Sequence, residues 1–397
     1  MTAVPLLSFL IALSVVVLAA RLCAWLCVKL GQPPVMGEVL AGIALGPSLL
    51  GRLWPAMQAA IFPPNVTIVL GLVAQIGVIL YMFVVGLELD VAALQQRGKA
   101  AVAISAASIM VPLGAGIVTA LALPTEYGSG LAFTLFVGVA MAVTAFPVLA
   151  RILTDRRATH THVGQLALGC AAINDVVAWC LLAAVVAVTK HSPQAAIRTA
   201  VLTIIFAAVM WLGVRPLVRR LAHRDESESV FAIVLAALLL CALASEMIGI
   251  HALFGAFIFG AIIPHDSALA HAMETRVRTL VSVLLLPIFF AFTGLRTQLS
   301  LVSGTKVWLL TLAIIAIASA GKFVGTFFAA RATGEPMRTA AALGVLMNTR
   351  GLMELIVLNV GLELGVLTPV LFAVFVLMAL VTTFSTTPIF ARLTLPS

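Results

Sequence analysis

Apolar runs long enough to cross a bilayer follow one another along this chain with few polar intervals between them. The hydrocarbon core is about 30 Å thick, so a helix crosses it with roughly 17 to 25 residues. Runs of this kind lie near 4–28, 35–50, 66–89, 98–121, 129–154, 162–188, 196–221, 228–248, 251–263, 276–295, 306–330, 338–362 and 367–390, those at 35–50 and 251–263 being short. In lipid every backbone NH and C=O must find a partner within the protein, which leaves helices or a closed barrel, and these runs are too long for barrel strands. The expected fold is an all-α polytopic membrane protein with about 13 transmembrane helices. Composition agrees, with 62% hydrophobic and 10% charged residues against the quarter or so charged in a soluble domain.

The net charge of +8 would suit nucleic acid in a soluble protein. Here Lys and Arg stand between the apolar runs instead of clustering with aromatics, so no nucleic-acid partner is expected. If the N-terminus is outside, one set of loops holds fifteen of them, from Lys29 through Arg97, Arg151, Arg219 and Arg276 to Arg392. The other set holds only Arg52, Lys190, Arg198, Arg296 and Lys306. Positive charge marks the cytoplasmic side, which predicts an odd number of spans and a cytoplasmic C-terminus; the cell inner (plasma) membrane is the expected location. Arg21, Lys322 and Arg350 remain within spans. The five cysteines fall inside apolar runs with no zinc-like spacing and read as small buried hydrophobes. No basic residue precedes the first run, which reads as a span instead of a removed signal. The chain stops at "FARLTLPS" soon after the last run, so a single membrane domain over residues 1–397 is expected, with no soluble C-terminal regulatory domain.

"VILYMFVVGLELDV", ending at Val91, matches "LLPIFFAFTGLRTQL", ending at Leu299, with Gly86 and Gly294 separated by 208 positions. The same offset carries the runs near 98, 129 and 162 onto those near 306, 338 and 367, giving repeats of about 66–188 and 276–390. Matched runs are an odd number of spans apart, so the repeats enter the membrane from opposite sides. Inverted repeats are the usual build of secondary transporters, with the substrate site near the midplane where discontinuous helices meet.

Two runs read as discontinuous. Pro147 in "AMAVTAFPVLARIL" removes a backbone hydrogen bond and frees carbonyls near Ala142 to Thr144. Its repeat mate is interrupted by Asn348, Thr349, Arg350, Gly351 and Glu354. Exposed backbone at membrane depth survives only inside protein or along an aqueous cavity, so the two interruptions should face each other.

The next run, "GCAAINDVVAWCLLAAVVAV", carries Asn174 and Asp175. A carboxylate at membrane depth costs at least about 2.5 kcal/mol and is kept where it lines a polar site. Asp175 is therefore the candidate group that binds either a proton or a desolvated monovalent cation, Na+ or K+. Asn174 either orders neighbouring helices through its amide or touches the ion. Lys322 is either a countercharge to this site or a snorkelling residue. Arg350 and Glu354, four apart, pair on one helix face, with a direct ion-ligand role for Glu354 as the alternative. Glu38 and Glu246 read as interfacial or packing residues. His160 and His162 belong to a solvated loop, with pH sensing as the second possibility. No nucleophile, base and oxyanion donors stand at coherent spacing, so no enzyme and no cofactor are expected.

At these residues the chain resembles a known family. "PPVMGEVLAGIALGPSLLG", "MFVVGLELD", "TAFPVLARIL", "AINDVVAW", "IGIHALFGAFIFGAIIP", "PIFFAFTGLRTQL" and "MNTRGLMELIVLNVGLELGVLTPVLFAVFVLMALVTTFSTTP" together look like the monovalent cation:proton antiporters of the sodium/hydrogen exchanger fold. The likeness is to the second cation:proton antiporter family, including plant cation/proton exchangers and bacterial potassium-efflux-type antiporters. It implies a core with two crossed broken helices, a separate dimerisation domain, a homodimer, and elevator-like exchange of Na+ or K+ for protons across the lipid bilayer. Carried over by motif, the ion-binding carboxylate falls on Asp175, its preceding residue on Asn174 and the basic core residue on Lys322. The unwound segments fall near Thr144 to Pro147, with Thr144 among the ion-binding residues, and near Asn348 to Gly351. An Asn-Asp pair is associated with electroneutral exchange, whereas Lys322 is the basic residue typical of the second family. The alternative on this architecture is a sodium-coupled organic-anion transporter.

Overall fold

The computed structural model describes residues 6–87, 98–159, 161–189, 193–221 and 227–394, and every regular element among them is a helix. The longer α-helices are, in chain order, α1 (Leu6–Lys29), α2 (Pro34–Leu45), α3 (Pro64–Leu87), α4 (Gly98–Ala122), α5 (Gly130–Ala142), α6 (Phe146–Asp155), α7 (His162–Val188) and α8 (Pro193–Val209). Then come α9 (Glu228–Ile248), α10 (Ala252–Ile262), α11 (Ala268–Leu280), α12 (Leu286–Arg296), α13 (Gly304–Ala332), α14 (Met337–Leu346), α15 (Leu352–Glu363) and α16 (Pro369–Thr394). Among the described residues, 10 helical segments are long and apolar enough to cross a membrane. Ten of the thirteen expected runs fall on them. The remaining three are the short α10 and the two interrupted pairs, α5–α6 and α14–α15.

Prolines explain the irregular helices. The π turn Met210–Val214 prolongs α8 two residues before Pro216, and Val281–Leu285 joins α11 to α12 two residues before Pro287. A proline ring clashes with the carbonyl four residues back and offers no NH, and the helix accommodates this by widening. Pro147 does not act by removing an intrahelical hydrogen bond, as its place in the run suggests. The chain leaves helix after Ala142, and Pro147 sits in the first turn of α6, where the NH it lacks would have no intrahelical partner anyway.

The chain divides into two compact units, one of Met1–Leu13, Pro64–Ala93 and Ala183–Phe289, the other of Ser14–Pro63, Leu94–Leu182 and Phe290–Ser397. In the first, α3 lies so close to α10 that a Cβ on Gly86 would strike Phe257 O, Ala261 N and Gly260 Cα. In the second, a Cβ on Gly294 of α12 would strike Val39 O, Ile43 N and Gly42 C of α2. These contacts are paired: Val39 and Phe257, Gly42 and Gly260, and Ile43 and Ala261 are each 218 positions apart. The end of the first matched motif, residues 88–91, lies outside the described residues.

The second unit holds the broken helices. Its buried core gathers Ile104 of α4, Leu149 and Leu153 of α6, Ala171 of α7, Leu343 and Leu346 of α14 and Phe390 of α16. The backbone of α13 approaches α4 closely at Gly321, where a Cβ would lie 3.1 Å from Pro112 Cα.

Candidate functional site

A helix leaves its last carbonyls and first NH groups without intrahelical partners, so a break at membrane depth creates a set of polar orphans. Between α5 and α6, Val143 to Ala145 run extended; between α14 and α15 the chain is non-helical from Met347 to Gly351. The two breaks hydrogen bond to each other. Ala145 N donates to Thr349 O at 3.0 Å, and Thr144 Oγ1 donates to Met347 O at 2.9 Å. Arg350 donates from Nη1 to Ala140 O and from Nη2 to Met141 O, both at 2.7 Å. A guanidinium there satisfies orphan carbonyls of α5 and meets the negative end of its dipole. Gly351 closes the second break at φ 154 and ψ −121, a conformation that side chains resist.

Asp175 reaches the other side of the first break. It is 4% exposed, and no side chain hydrogen bonds to either carboxylate oxygen. The backbone NH of Phe146, at the positive end of α6, is its hydrogen-bonding neighbour, and the ammonium of Lys322 acts on it through charge. Lys322 is wholly buried and donates to Thr144 Oγ1 at 2.6 Å, so it does not snorkel to a membrane face.

Asn174 is a junction between helices. Its Oδ1 accepts from Ser105 Oγ of α4, and its Nδ2 donates to Ser108 Oγ at 2.8 Å and Thr144 Oγ1 at 3.4 Å. The geometry therefore favours the helix-ordering role left open by the sequence. Arg350 and Glu354 form a wholly buried pair at 2.9 Å, with Glu354 Oε1 left over. Thr383 of α16 accepts from Arg350 N at 3.0 Å and donates to Arg350 O at 2.7 Å, tying the second break to α16. Asn348 Nδ2 donates to Ser319 Oγ of α13 at 3.3 Å.

The remaining charged candidates lie elsewhere. Glu38 is buried on α2, where Arg21 acts on it. Glu246 accepts from Ala252 N at 2.7 Å, binding a free NH at the start of α10. His162 pairs with Glu335 at 3.0 Å, while His160 lies outside the described residues. Sequence reasoning missed Ser105, Ser108, Ser319 and Thr383. For Ser105 and Ser108 a signal existed: two hydroxyls three apart on an otherwise apolar helix share a face.

Two half-helix pairs joined at their breaks, with a buried carboxylate and a buried ammonium beside them, gather charged groups among the apolar helices of an all-helical polytopic membrane protein. The family model for "Sodium/hydrogen exchanger, transmembrane" matches residues 16–392, and the chain belongs to that family of transporters, among its second cation:proton antiporter type. It is similar to the Na(+)/H(+) antiporter NhaS4 of Synechocystis, at 42% identity over 98% of this chain and 97% of the relative. Cation/H(+) antiporter 18 of Arabidopsis thaliana is 41% identical over 94% of this chain, which spans only 47% of that relative. Among solved structures, the sodium proton antiporter MjNhaP1 from Methanocaldococcus jannaschii at pH 8 shares the fold, with a TM-score of 0.70 at 18% identity over 97% of this chain and 96% of that one.

Proposed function

We propose that this chain is a secondary antiporter that exchanges Na+ or K+ for protons by alternating access, with cation and proton competing for Asp175. The observation that carries this reading is a buried carboxylate with no side-chain hydrogen bond on either oxygen, facing the NH end of a half-helix and a buried ammonium. The names of its relatives point to the same ions: a Na(+)/H(+) antiporter, cation/H(+) antiporters and the Na(+)/H(+)-K(+) antiporter GerN of Bacillus cereus, 29% identical.

The mechanism follows from charge. Deprotonated Asp175 takes a cation from water, and carboxylate and carbonyl oxygens at the broken backbone replace part of its hydration shell, with the Thr144 hydroxyl joining them when Lys322 releases it. A proton or a cation neutralises the carboxylate, and only the neutralised site crosses the apolar barrier; the empty charged site stays where it is. Mutual exclusion then couples the two fluxes. Lys322 holds Thr144, and Arg350 holds the end of α5, so the break keeps its shape as the charge on Asp175 changes. The reading includes thirteen spans in two inverted repeats, a core with a dimerisation domain, and a homodimer. The N-terminus is then outside and the C-terminus cytoplasmic.

The test uses proteoliposomes holding a pH-sensitive dye and an imposed proton gradient. Na+ or K+ added separately should relieve the gradient in the wild type and fail to do so in Asp175→Asn. Exchange that persists in the variant would defeat the site assignment, and no response of the wild type to either cation would defeat the function.

A further inference from the structure

Ser105 and Ser108 are both wholly buried on α4, and the direction of every hydrogen bond around them can be worked out. A hydroxyl has one proton to give. Ser108 gives its proton to Ser105 O at 2.9 Å, and Thr144 gives its proton to Met347 O at 2.9 Å. Towards Asn174 both oxygens are therefore acceptors, and its Nδ2 donates to each, Thr144 Oγ1 accepting from Lys322 as well. Ser105 Oγ lies closer to Asn174 Oδ1 than to Cys170 O, its alternative acceptor at 3.3 Å, and directs its proton to the amide oxygen. The carboxamide is locked with its oxygen towards Ser105 and its NH2 towards the first helix break.

We propose that Ser105 and Ser108 are positioning residues for the ion site, acting through Asn174. They hold its amide as a donor, which keeps its oxygen out of the cation's ligand set, and they pin the neighbouring Asp175 at the break between α5 and α6. Loss of Ser105 removes the donor to Oδ1, and loss of Ser108 removes an acceptor for Nδ2; either change frees the amide to turn. The inference rests on the reading of Asp175 as the shared cation and proton site.

The experiment compares wild type, Ser105→Ala, Ser108→Ala and Ser105→Thr in the proteoliposome assay over a range of Na+ and K+ concentrations. A buried hydrogen bond to a neutral group is worth roughly a factor of ten. The alanine variants should shift the apparent KM for cation by about that factor with little change in maximal rate, and Ser105→Thr should restore it. Ser105→Cys, close in size with a weaker donor, serves if the alanine variant does not fold, and should fall between alanine and serine. In an Asn174→Ala background, with stabilisation of the purified protein by added cation as the readout, the Ser105 substitution should have no further effect. An unchanged KM, or an undiminished effect without Asn174, overturns the proposal. If the wild type responds to cation and Asp175→Asn does not, that failure concerns the serines alone; a silent wild type would instead defeat the function.

Discussion

Thr383 stands 208 positions after Asp175, and the two residues treat neighbouring helix breaks in opposite ways. Thr383 closes a pair of hydrogen bonds on the backbone of Arg350, whereas Asp175 has no side-chain hydrogen bond on either oxygen and faces the NH of Phe146. Of two positions matched in sequence, one is spent on fixing the backbone and the other is left short of partners. A buried group short of partners costs free energy, more so when charged. Asp175→Asn should therefore raise the thermal midpoint of the purified protein at pH 8 by a few degrees, corresponding to about 1 kcal/mol or more. The variant should also lose the extra stabilisation that Na+ or K+ gives the wild type. A midpoint that falls, or that still responds to cation, would contradict this account.

The Arg350–Glu354 pair predicts an asymmetric mutational cycle. Arg350→Ala removes two bonds to α5 carbonyls and leaves Glu354 as an unpaired buried charge, which should cost roughly 3 to 5 kcal/mol and most of the folded protein. Glu354→Gln keeps a polar partner for the guanidinium and the bonds to Ala140 and Met141, and should be far milder. Arg350→Met combined with Glu354→Leu should recover folded yield relative to Arg350→Ala without recovering transport. Size-exclusion profiles in detergent, read beside the flux assay, separate the two effects.

Lys322 donates to the same hydroxyl oxygen that accepts from Asn174, so its removal should be felt at the first break as well as by Asp175. Lys322→Met keeps the length and apolar stem of the side chain but withdraws the bond to Thr144 and the countercharge. Exchange should drop by about tenfold or more, from the loss of one charge-assisted hydrogen bond. Thr144→Val should reproduce part of that loss, and the double variant should be no worse than Lys322→Met, because both act through one contact. Additive losses in the flux assay would show that the two residues act separately.

What the sequence discloses depends on how far each residue departs from its surroundings. Asp175, Lys322, Arg350 and Glu354 stand out because charge in an apolar run is costly wherever it falls, and the structure gathers them near the two breaks. Ser105 and Ser108 escape notice because a serine in a membrane helix can bond its own backbone, so its presence signals little by itself. Pro147 lies beside the break without removing a bond from it: proline is compatible with a first turn, and the break lies just before it. The paired packing of Val39 with Gly294 and of Phe257 with Gly86 follows an offset of 218, ten more than the one that aligns Gly86 with Gly294. A comparison at a single offset cannot see it.

That pairing predicts which glycines tolerate a methyl group. A Cβ on Gly86 or Gly294 would fall on the backbone of the helix opposite, α10 in one case and α2 in the other, where no side chain can turn aside. Overpacking of this kind costs about 1 to 3 kcal/mol, and the matched surroundings imply losses of similar size for Gly86→Ala and Gly294→Ala. Gly114 of α4 supplies the contrast, since a Cβ there meets nothing within 4 Å. Gly114→Ala should be neutral or stabilise by roughly 0.5 to 1 kcal/mol through its better helix propensity. Thermal midpoints of the three purified variants test this directly. Equal tolerance of alanine at all three positions would mean that the close approach of the helix backbones at Gly86 and Gly294 is not what holds these helices together.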